Sequence, residues 1–173
     1  IMTIAEHKGD LQGLTLAYAS DGNNVLHSLL LACAMAGVHC RIASPGGYEL
    51  SAGILEKARS YAALSGAKIH CGDDPEEAMN GADVVYADVW TSMGQEEESS
   101  KRLKDFKNYQ INSDLTQLAD PDYMFLHCLP AHRGEEVTAD VIDGPHSEVF
   151  NQAENRMHAE KAILIFLLRD DHN

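Results

Sequence analysis

Short apolar runs alternate with longer, mostly helix-forming segments along the chain. The runs are typical of buried strands, and they fall at residues 14–19, 40–43, 67–70, 82–88 and 124–126. The segments between them predict helices at 25–36, 52–64, 113–119 and 151–169, with a short helix that begins at Pro75. Strands that alternate with helices form right-handed βαβ units. The pattern therefore predicts an α/β fold with a doubly wound, mainly parallel five-stranded sheet and helices on both faces.

Length, charge and cysteine content limit the classes of protein that fit. The chain has 173 residues, enough for one buried core, and a formal net charge of −14 from 13 basic and 27 acidic residues. This charge argues against nucleic acid or an anionic membrane as a partner, and the longest apolar run, 162–168, is too short to cross a bilayer. The four cysteines lack CxxC spacing, so we expect no disulfide scaffold or zinc framework, and a cytoplasmic location.

Both ends of the sequence have features of a piece cut from a longer protein. Residues 1–10 resemble the tail of a helix, and residues 162–168 are apolar on every face of the last predicted helix. A helix of that kind needs burial on more than one side. We therefore expect a tail of an interdomain helix at 1–10, a domain at 11–150, and a closing helix at 151–173 that packs on a domain outside this chain. The charged residues from 96 to 107 predict a solvated helical face or loop.

Polar and reactive side chains follow three of the predicted strands. These segments are Asp21-Gly22-Asn23-Asn24, Asp88-Val89-Trp90-Thr91-Ser92-Met93-Gly94 and His127-Cys128-Leu129-Pro130. Ligands of open parallel sheets bind beyond the carboxyl ends of the strands. We therefore expect the three segments on one rim, where their polar groups can converge on one ligand. The fingerprint G-x-G-x-x-G is absent, so no nicotinamide cofactor is expected, and no other cofactor is indicated.

Several candidate side chains also have a purely structural interpretation. Asn24, beside a helix N-terminus, can donate to a carboxylate, but either Asn23 or Asn24 can simply cap the helix. Asp88 can bind an ammonium group or cap a local turn. Arg156, early in the last helix, can hold an anion or a carbonyl oxygen, or form an ordinary surface salt bridge.

Cys128 has three chemical interpretations: a nucleophile, a metal ligand or a polar contact. A metal site would use His127, Cys128 and His132, but no fourth ligand has convincing spacing. A cysteine hydrolase needs a base that faces the thiol, and His127 is only adjacent in sequence. Both interpretations are weak, so we expect no metal site, and the local chemistry leaves the role of Cys128 open.

Taken together, these motifs resemble the ornithine carbamoyltransferase family. The matching segments cover nearly the whole chain in order: Asp21 to Ser28, Asp88 to Glu96, His127 to Gly134 and Val149 to His158. The His-Cys-Leu-Pro and Ser-Met-Gly motifs separate this family from the related aspartate enzyme. The resemblance implies a Rossmann-like domain and transfer of the carbamoyl group of carbamoyl phosphate to the δ-amino group of L-ornithine. The products would be L-citrulline and phosphate, in arginine metabolism.

The resemblance implies that four residues bind ornithine. Asn24 should hold the α-carboxylate with help from the Met93 backbone, while Asp88 and Ser92 should engage the α-amino group. This arrangement requires a free carboxylate and a free α-amino group. It therefore favours ornithine over acetylornithine or putrescine, the substrates of related transcarbamylases.

The resemblance also implies which residues surround the reacting carbamoyl group. Cys128 should lie near the δ-amino group, the Leu129 carbonyl should contact the carbamoyl amide, and Arg156 should polarise the carbamoyl oxygen. Together with Asp88, Cys128 and Arg156 form the expected catalytic set. No covalent intermediate is needed, so Cys128 is interpreted as an orienting group. The family also suggests a cis Leu129–Pro130 bond.

Two motifs of the family are missing from this chain. Ser-x-Arg-Thr and His-Pro-x-Gln belong to the domain that binds carbamoyl phosphate, and neither occurs in the sequence. The resemblance therefore implies the ornithine-binding half of an enzyme, inactive alone, whose full-length form is a homotrimer or a multiple of one. A transcarbamylase for a related amine and a non-catalytic amino-acid-binding domain are the alternatives.

Overall fold

A single parallel sheet forms the centre of the protein. The computed structural model describes residues 1–91 and 96–169. Its strands are β1 Thr15–Ala19, β2 His39–Ala43, β3 Ile69–Gly72, β4 Val84–Ala87 and β5 Met124–His127. Their order across the sheet is β3-β2-β1-β4-β5, with every pairing parallel. The chain extends the sheet on one side of β1 and then crosses to the other, so the predicted doubly wound, Rossmann-like α/β fold is confirmed.

The helices connect these strands and cover both faces of the sheet. In the described part of the chain the α-helices are α1 Met2–Lys8, α2 Asn24–Ala36, α3 Ala52–Ser65, α4 Pro75–Met79, α5 Ser99–Asp105, α6 Ser113–Thr116, α7 Ala139–Ile142 and α8 Val149–Leu168, with short 3-10 helices at Glu96–Glu98 and Lys107–Tyr109. None of the helices in these described segments is long and apolar enough to cross a bilayer.

The sheet separates two hydrophobic cores. Successive side chains of a strand point to opposite faces, so Leu16 and Tyr18 of β1 enter one core while Ala17 and Ala19 enter the other. The first core is completed by side chains of α1, α2 and α3, and the second by side chains of α4, α6, α7 and the first residue of α8. Both faces are therefore covered, as a parallel sheet requires.

Some predicted boundaries differ from the observed ones. The third strand was expected at 67–70 but lies at Ile69–Gly72, because its register pairs Ile69 with Cys40 of β2. The last helix begins at Val149, two residues before the expected start, and α7 was not predicted. The expectation of a solvated face at 96–107 is wrong for Arg102 and Phe106, which are 5% and 0% exposed.

The two terminal helices pack against each other. On α8, Asn155 is buried, and its amide donates to Thr3 Oγ1 of α1 at 3.1 Å and to Glu6. His7 Nε2 lies 3.2 Å from a carboxylate oxygen of Glu148. The second half of α8 is more exposed, since its apolar side chains from 163 to 168 are between 52% and 78% exposed.

Candidate active site

The three polar segments meet at the point where the sheet changes direction. β1 and β4 are neighbours in the sheet although two strands separate them in sequence, and β5 lies beside β4. Their carboxyl ends therefore share one rim at a topological switch point, the usual ligand position in open α/β sheets. Two side-chain hydrogen bonds join the segments there, one from Asn23 to Asp88 and one from Cys128 to Asp88.

Asp88 is the centre of this group. It is 3% exposed, and its Oδ2 accepts a hydrogen bond from Asn23 Nδ2 at 2.7 Å. Its Oδ1 accepts from the Val89 N–H and from Cys128 Sγ, both at 2.8 Å. A carboxylate has about four acceptor positions, and these contacts use three. Asp88 is thus held rigidly and retains acceptor capacity for one more donor, such as an ammonium group.

The turn between β1 and α2 separates the roles of its two asparagines. Asn23 is the helix cap, because its Oδ1 accepts from the N–H groups of Val25 at 3.0 Å and Leu26 at 3.1 Å. Asn24 is the first residue of α2, and its side chain is exposed. The amide of Asn24 is therefore at the positive end of a helix of 13 residues, a suitable position for a carboxylate.

Gly22 lets this turn approach the loop before α3. A Cβ atom on Gly22 would lie 2.6 Å from the backbone carbonyl of Glu49 and from the amide nitrogen of Leu50. The Gly22 N–H donates to the Tyr48 carbonyl at 2.8 Å across the same contact. The glycine is therefore required by close packing of two backbones.

Cys128 is a protonated donor in this arrangement. Burial raises the pKa of its thiol, and the hydrogen bond to the Asp88 carboxylate raises the pKa further. The neighbouring His127 is no base for the thiol, since its Nδ1 accepts the Leu129 N–H at 2.8 Å. Both contacts argue against a thiolate nucleophile.

The loop that follows has an unusual backbone. Leu129 has a left-handed φ of 55°, and the Leu129–Pro130 peptide bond is cis. Cys128 faces Asp88, whereas His127 Nε2 lies 3.3 Å from Glu136 Oε1 on the other side of the loop. The metal set of His127, Cys128 and His132 considered from the sequence is therefore not assembled.

Arg102 connects two segments of the site, a role that the sequence did not predict. Its Nη1 donates to Asp21 Oδ2 at 2.6 Å and to the Trp90 carbonyl at 2.9 Å. It thereby ties the segment after β1 to the segment after β4. Its spacing from Glu98, which it contacts at 3.2 Å, is an ordinary surface pattern, so the sequence carries no signal of its burial.

A cavity of about 670 Å³ opens beside the β1–α2 turn. Asn24, Tyr48, Lys101 and Arg102 are among its lining residues. Two further expected ligands, Ser92 and Met93, lie outside the described residues. The cavity is large enough for an amino acid, and both Asn24 and Lys101 line it, whereas Asp88 and Cys128 do not.

Arg156 is not brought into this group. Its side chain is 80% exposed, and its Nε donates to Glu160 Oε1 at 3.1 Å on the same helix. Gln152, one turn earlier, does reach the sheet: its Oε1 accepts the His127 N–H and its Nε2 donates to Tyr86 Oη, both at 3.1 Å. Gln152 therefore anchors α8 to the two strands that carry Asp88 and Cys128, a role that was also missed.

Comparison with known proteins gives a consistent assignment. The family model described as "Aspartate/ornithine carbamoyltransferase, Asp/Orn binding domain" matches residues 12–167. The chain is 58% identical over 169 residues to an ornithine carbamoyltransferase of Listeria innocua, and 55% identical over 168 residues to that of Bacillus subtilis. Each alignment covers 97% of this chain, but only 54% and 53% of the relative.

A solved structure has the same fold. The ornithine carbamoyltransferase from Pyrococcus furiosus superposes with a TM-score of 0.91 at 52% sequence identity, covering 95% of this chain and 52% of that one. The chain thus spans about half the length of the relatives that it matches.

Proposed function

The chain belongs to the aspartate/ornithine carbamoyltransferase family as its aspartate/ornithine-binding domain, and on that basis we propose that it is the ornithine-binding half of an ornithine carbamoyltransferase. The enzyme would transfer the carbamoyl group of carbamoyl phosphate to the δ-amino group of L-ornithine, giving L-citrulline and phosphate. The observation that carries the proposal is the hydrogen-bonded series Asn23–Asp88–Cys128. These two hydrogen bonds join the polar segments after β1, β4 and β5 into one group suited to an amino acid.

Recognition of ornithine would use opposite charges at its α-carbon. The exposed amide of Asn24 and the N-terminus of α2 suit the α-carboxylate, with the Met93 backbone as a further donor. The remaining acceptor position of Asp88 suits the α-ammonium group, with Ser92 beside it. A buried carboxylate needs hydrogen-bond donors, so an ammonium group at the remaining acceptor position would be favourable.

Carbamoyl transfer would need a neutral δ-amino group aligned with the carbonyl carbon. The protonated thiol of Cys128, fixed by Asp88, would orient the reacting groups without forming a covalent bond. The Leu129 carbonyl would accept from the carbamoyl amide, and Arg156 would stabilise the negative charge that develops on the carbamoyl oxygen. Arg156 must leave Glu160 to do so, and an exposed pair of this kind is worth only about 0.3–0.5 kcal/mol.

A second domain would complete the active site. We assign residues 1–10 to an interdomain helix, 11–150 to the ornithine domain and 151–173 to a closing helix that packs on the carbamoyl-phosphate domain. The exposed apolar side chains at 163–168 support this assignment, because such a surface is normally covered. The same domain would bring the phosphate-binding residues and the contacts of a homotrimer. The unpaired thiols of Cys33, Cys40, Cys71 and Cys128 support a cytoplasmic location.

A chimera tests the proposal directly. The chain would be fused to the part of the Listeria innocua relative that it does not match, and citrulline formation would be measured beside the chain alone. We expect activity in the chimera only. Asp88→Asn and Arg156→Ala should each lower kcat/KM at least about 100-fold, while Arg59→Ala, at an exposed site on α3, should not. Near-normal rates in both site variants would contradict the assigned roles.

The choice of amine is tested in the same chimera. Ornithine should be used, whereas acetylornithine lacks the ammonium group for Asp88 and putrescine lacks the carboxylate for Asn24. A preference for either analogue would reassign the substrate within the family. If the chimera folds and binds ornithine but forms no product with any amine, the chain is a non-catalytic amino-acid-binding domain.

A further inference from the structure

A cluster of metal-ligating side chains lies in the loop after Pro130, outside the Asp88 group. In the part of the chain that the structure describes, His132, Glu135 and Glu136 each offer a ligand atom within 4.8 Å of the other two. The turn that gathers them depends on Gly134, which has a left-handed φ of 91°. Two backbone hydrogen bonds close it, from Gly134 to Val137 at 2.8 Å and from Glu135 to His132 at 2.9 Å.

Glu136 is the residue that points to a ligand. It is 1% exposed, and its Oε1 accepts the His132 N–H at 2.6 Å. Its Oε2 is buried with no hydrogen-bond partner, and lies 3.8 Å from His132 Nδ1. An unpartnered, buried carboxylate oxygen is costly, and native proteins rarely keep one without an ion, a water molecule or a donor.

We infer that His132, Glu135 and Glu136 form a site for a divalent transition metal of the zinc class. One imidazole nitrogen with two carboxylates is a ligand set that such ions accept, with water in the remaining position. The nitrogen ligand favours them over Mg²⁺ and Ca²⁺, which prefer oxygen. Cys128 is outside the set because its thiol donates to Asp88.

The ligands would need only small movements to bind the ion. Bond lengths of about 2.0–2.2 Å place tetrahedral ligand atoms roughly 3.4 Å apart, somewhat closer than the 4.8 Å limit that encloses the three groups here. His132 has a side chain that is 53% exposed, and Glu135 is partly exposed, so both can rotate toward Glu136. The buried carboxylate would remain fixed while the two mobile ligands close on the metal.

Zn²⁺ titration of the purified 173-residue chain by calorimetry tests the inference. We expect one bound ion per chain and a higher melting temperature with Zn²⁺. His132→Ala and Glu135→Gln should each weaken binding about tenfold or more. The matched control is His158→Ala, because His158 is a 46% exposed histidine paired with Glu154 on α8. This control should leave binding unchanged.

Co²⁺ provides a second readout that identifies the ligands. Binding at the proposed site should give no thiolate charge-transfer absorption, and Cys128→Ser should leave the Co²⁺ spectrum unchanged. Loss of binding in Cys128→Ser alone would place the metal at the thiol and overturn the inference. Absence of Zn²⁺ binding at millimolar concentration, or equal binding by His132→Ala and the parent chain, would overturn it as well.

Discussion

Replacement of Arg102 by methionine should be among the most destabilising single changes outside the apolar cores. The guanidinium is 5% exposed, and its Nη1 donates at 2.6 Å to Asp21 and at 2.9 Å to the Trp90 carbonyl. Although burial by itself lowers the pKa of Arg102, hydrogen bonding to Asp21 raises the pKa above its usual value. The side chain is therefore charged at every pH at which the protein is folded.

The expected loss follows from what methionine leaves behind. Methionine preserves most of the apolar stem, but the Asp21 side chain, 13% exposed, loses its counter-charge and the Trp90 carbonyl loses a donor. Breaking a buried pair by removing one partner costs about 3–5 kcal/mol. For a domain of this size, that corresponds to a fall in Tm of about 6–20 °C.

Urea unfolding of the chain, followed by circular dichroism, would measure this loss. The matched control is Arg133→Met, because Arg133 forms a bidentate pair with Asp143 in which both side chains are 49% exposed. This control should cost no more than about 1 kcal/mol. In a double-mutant cycle, Arg102→Met and Asp21→Asn should be coupled by about 1–3 kcal/mol. Equal losses at Arg102 and Arg133, or additive effects in the cycle, would refute the reasoning.

Four further predictions concern three residues at the rim of the site. Because burial and the Asp88 hydrogen bond raise the pKa of Cys128, iodoacetamide should label this thiol slowly at pH 7–9 compared with the unfolded chain, as followed by peptide mass spectrometry. Because the folded thiol keeps its proton while the unfolded thiol loses its proton above a pH of about 8.5, the free energy of unfolding should fall as pH rises above that value. Cys128→Ser should reduce this fall, and an identical pH profile in the variant would contradict the prediction. Gly22→Ala should cost about 1–3 kcal/mol by backbone overlap, whereas Gly46→Ala, which has open space around the added methyl group, should cost little in the same urea assay. Asn23→Ala should lower the free energy of unfolding by about 2 kcal/mol, because it removes the helix cap and the contact with Asp88. The control is Ser51→Ala, at an N-cap that makes no side-chain hydrogen bond. Equal effects of the two changes would refute the capping role.

The fold was predictable because the local sequence signals for helix ends and buried strands agree with the way the strands pair in the sheet. Gly37 and Gly66 end α2 and α3 in the left-handed conformation, as glycine at that position usually does. The strands at the centre of the sheet are continuous apolar runs, which parallel sheets require. β3 was displaced by two residues because it is an edge strand with mostly exposed side chains, so its register is set by pairing with β2 rather than by its own pattern.

The grouping of the candidate site residues was predictable only where those residues fall in local motifs. Asn24, Asp88 and Cys128 follow strand ends, and strand ends share a rim in any parallel sheet. Which asparagine caps α2 could not be decided, because both are good caps and only the geometry of the turn separates them. Arg102 reaches Asp21 across 81 positions of sequence, and no pattern within α5 distinguishes that burial from a surface ion pair.

The arrangement of α8 shows how one motif could serve both the fold and the proposed chemistry. Gln152 and Asn155 are three residues apart and therefore share a face of the helix, which they use to hold the sheet and α1. Arg156 is one residue further along and so projects from a different side of the helix, where it forms a weak, exposed ion pair with Glu160. The contacts of Gln152 and Asn155 thus fix the position of the helix. The Arg156 guanidinium can leave Glu160 at a cost of about 0.5 kcal/mol, which corresponds to a roughly twofold loss of affinity for any ligand that requires the movement. In the proposed enzyme, a single charge-assisted hydrogen bond from Arg156 to the substrate, worth about 1.5–3 kcal/mol, would supply that energy. The chain therefore carries a preassembled hydrogen-bonded group, Asn23–Asp88–Cys128, whereas Arg156, if it polarises the carbamoyl group as proposed, would take its final position only with substrate and a partner domain.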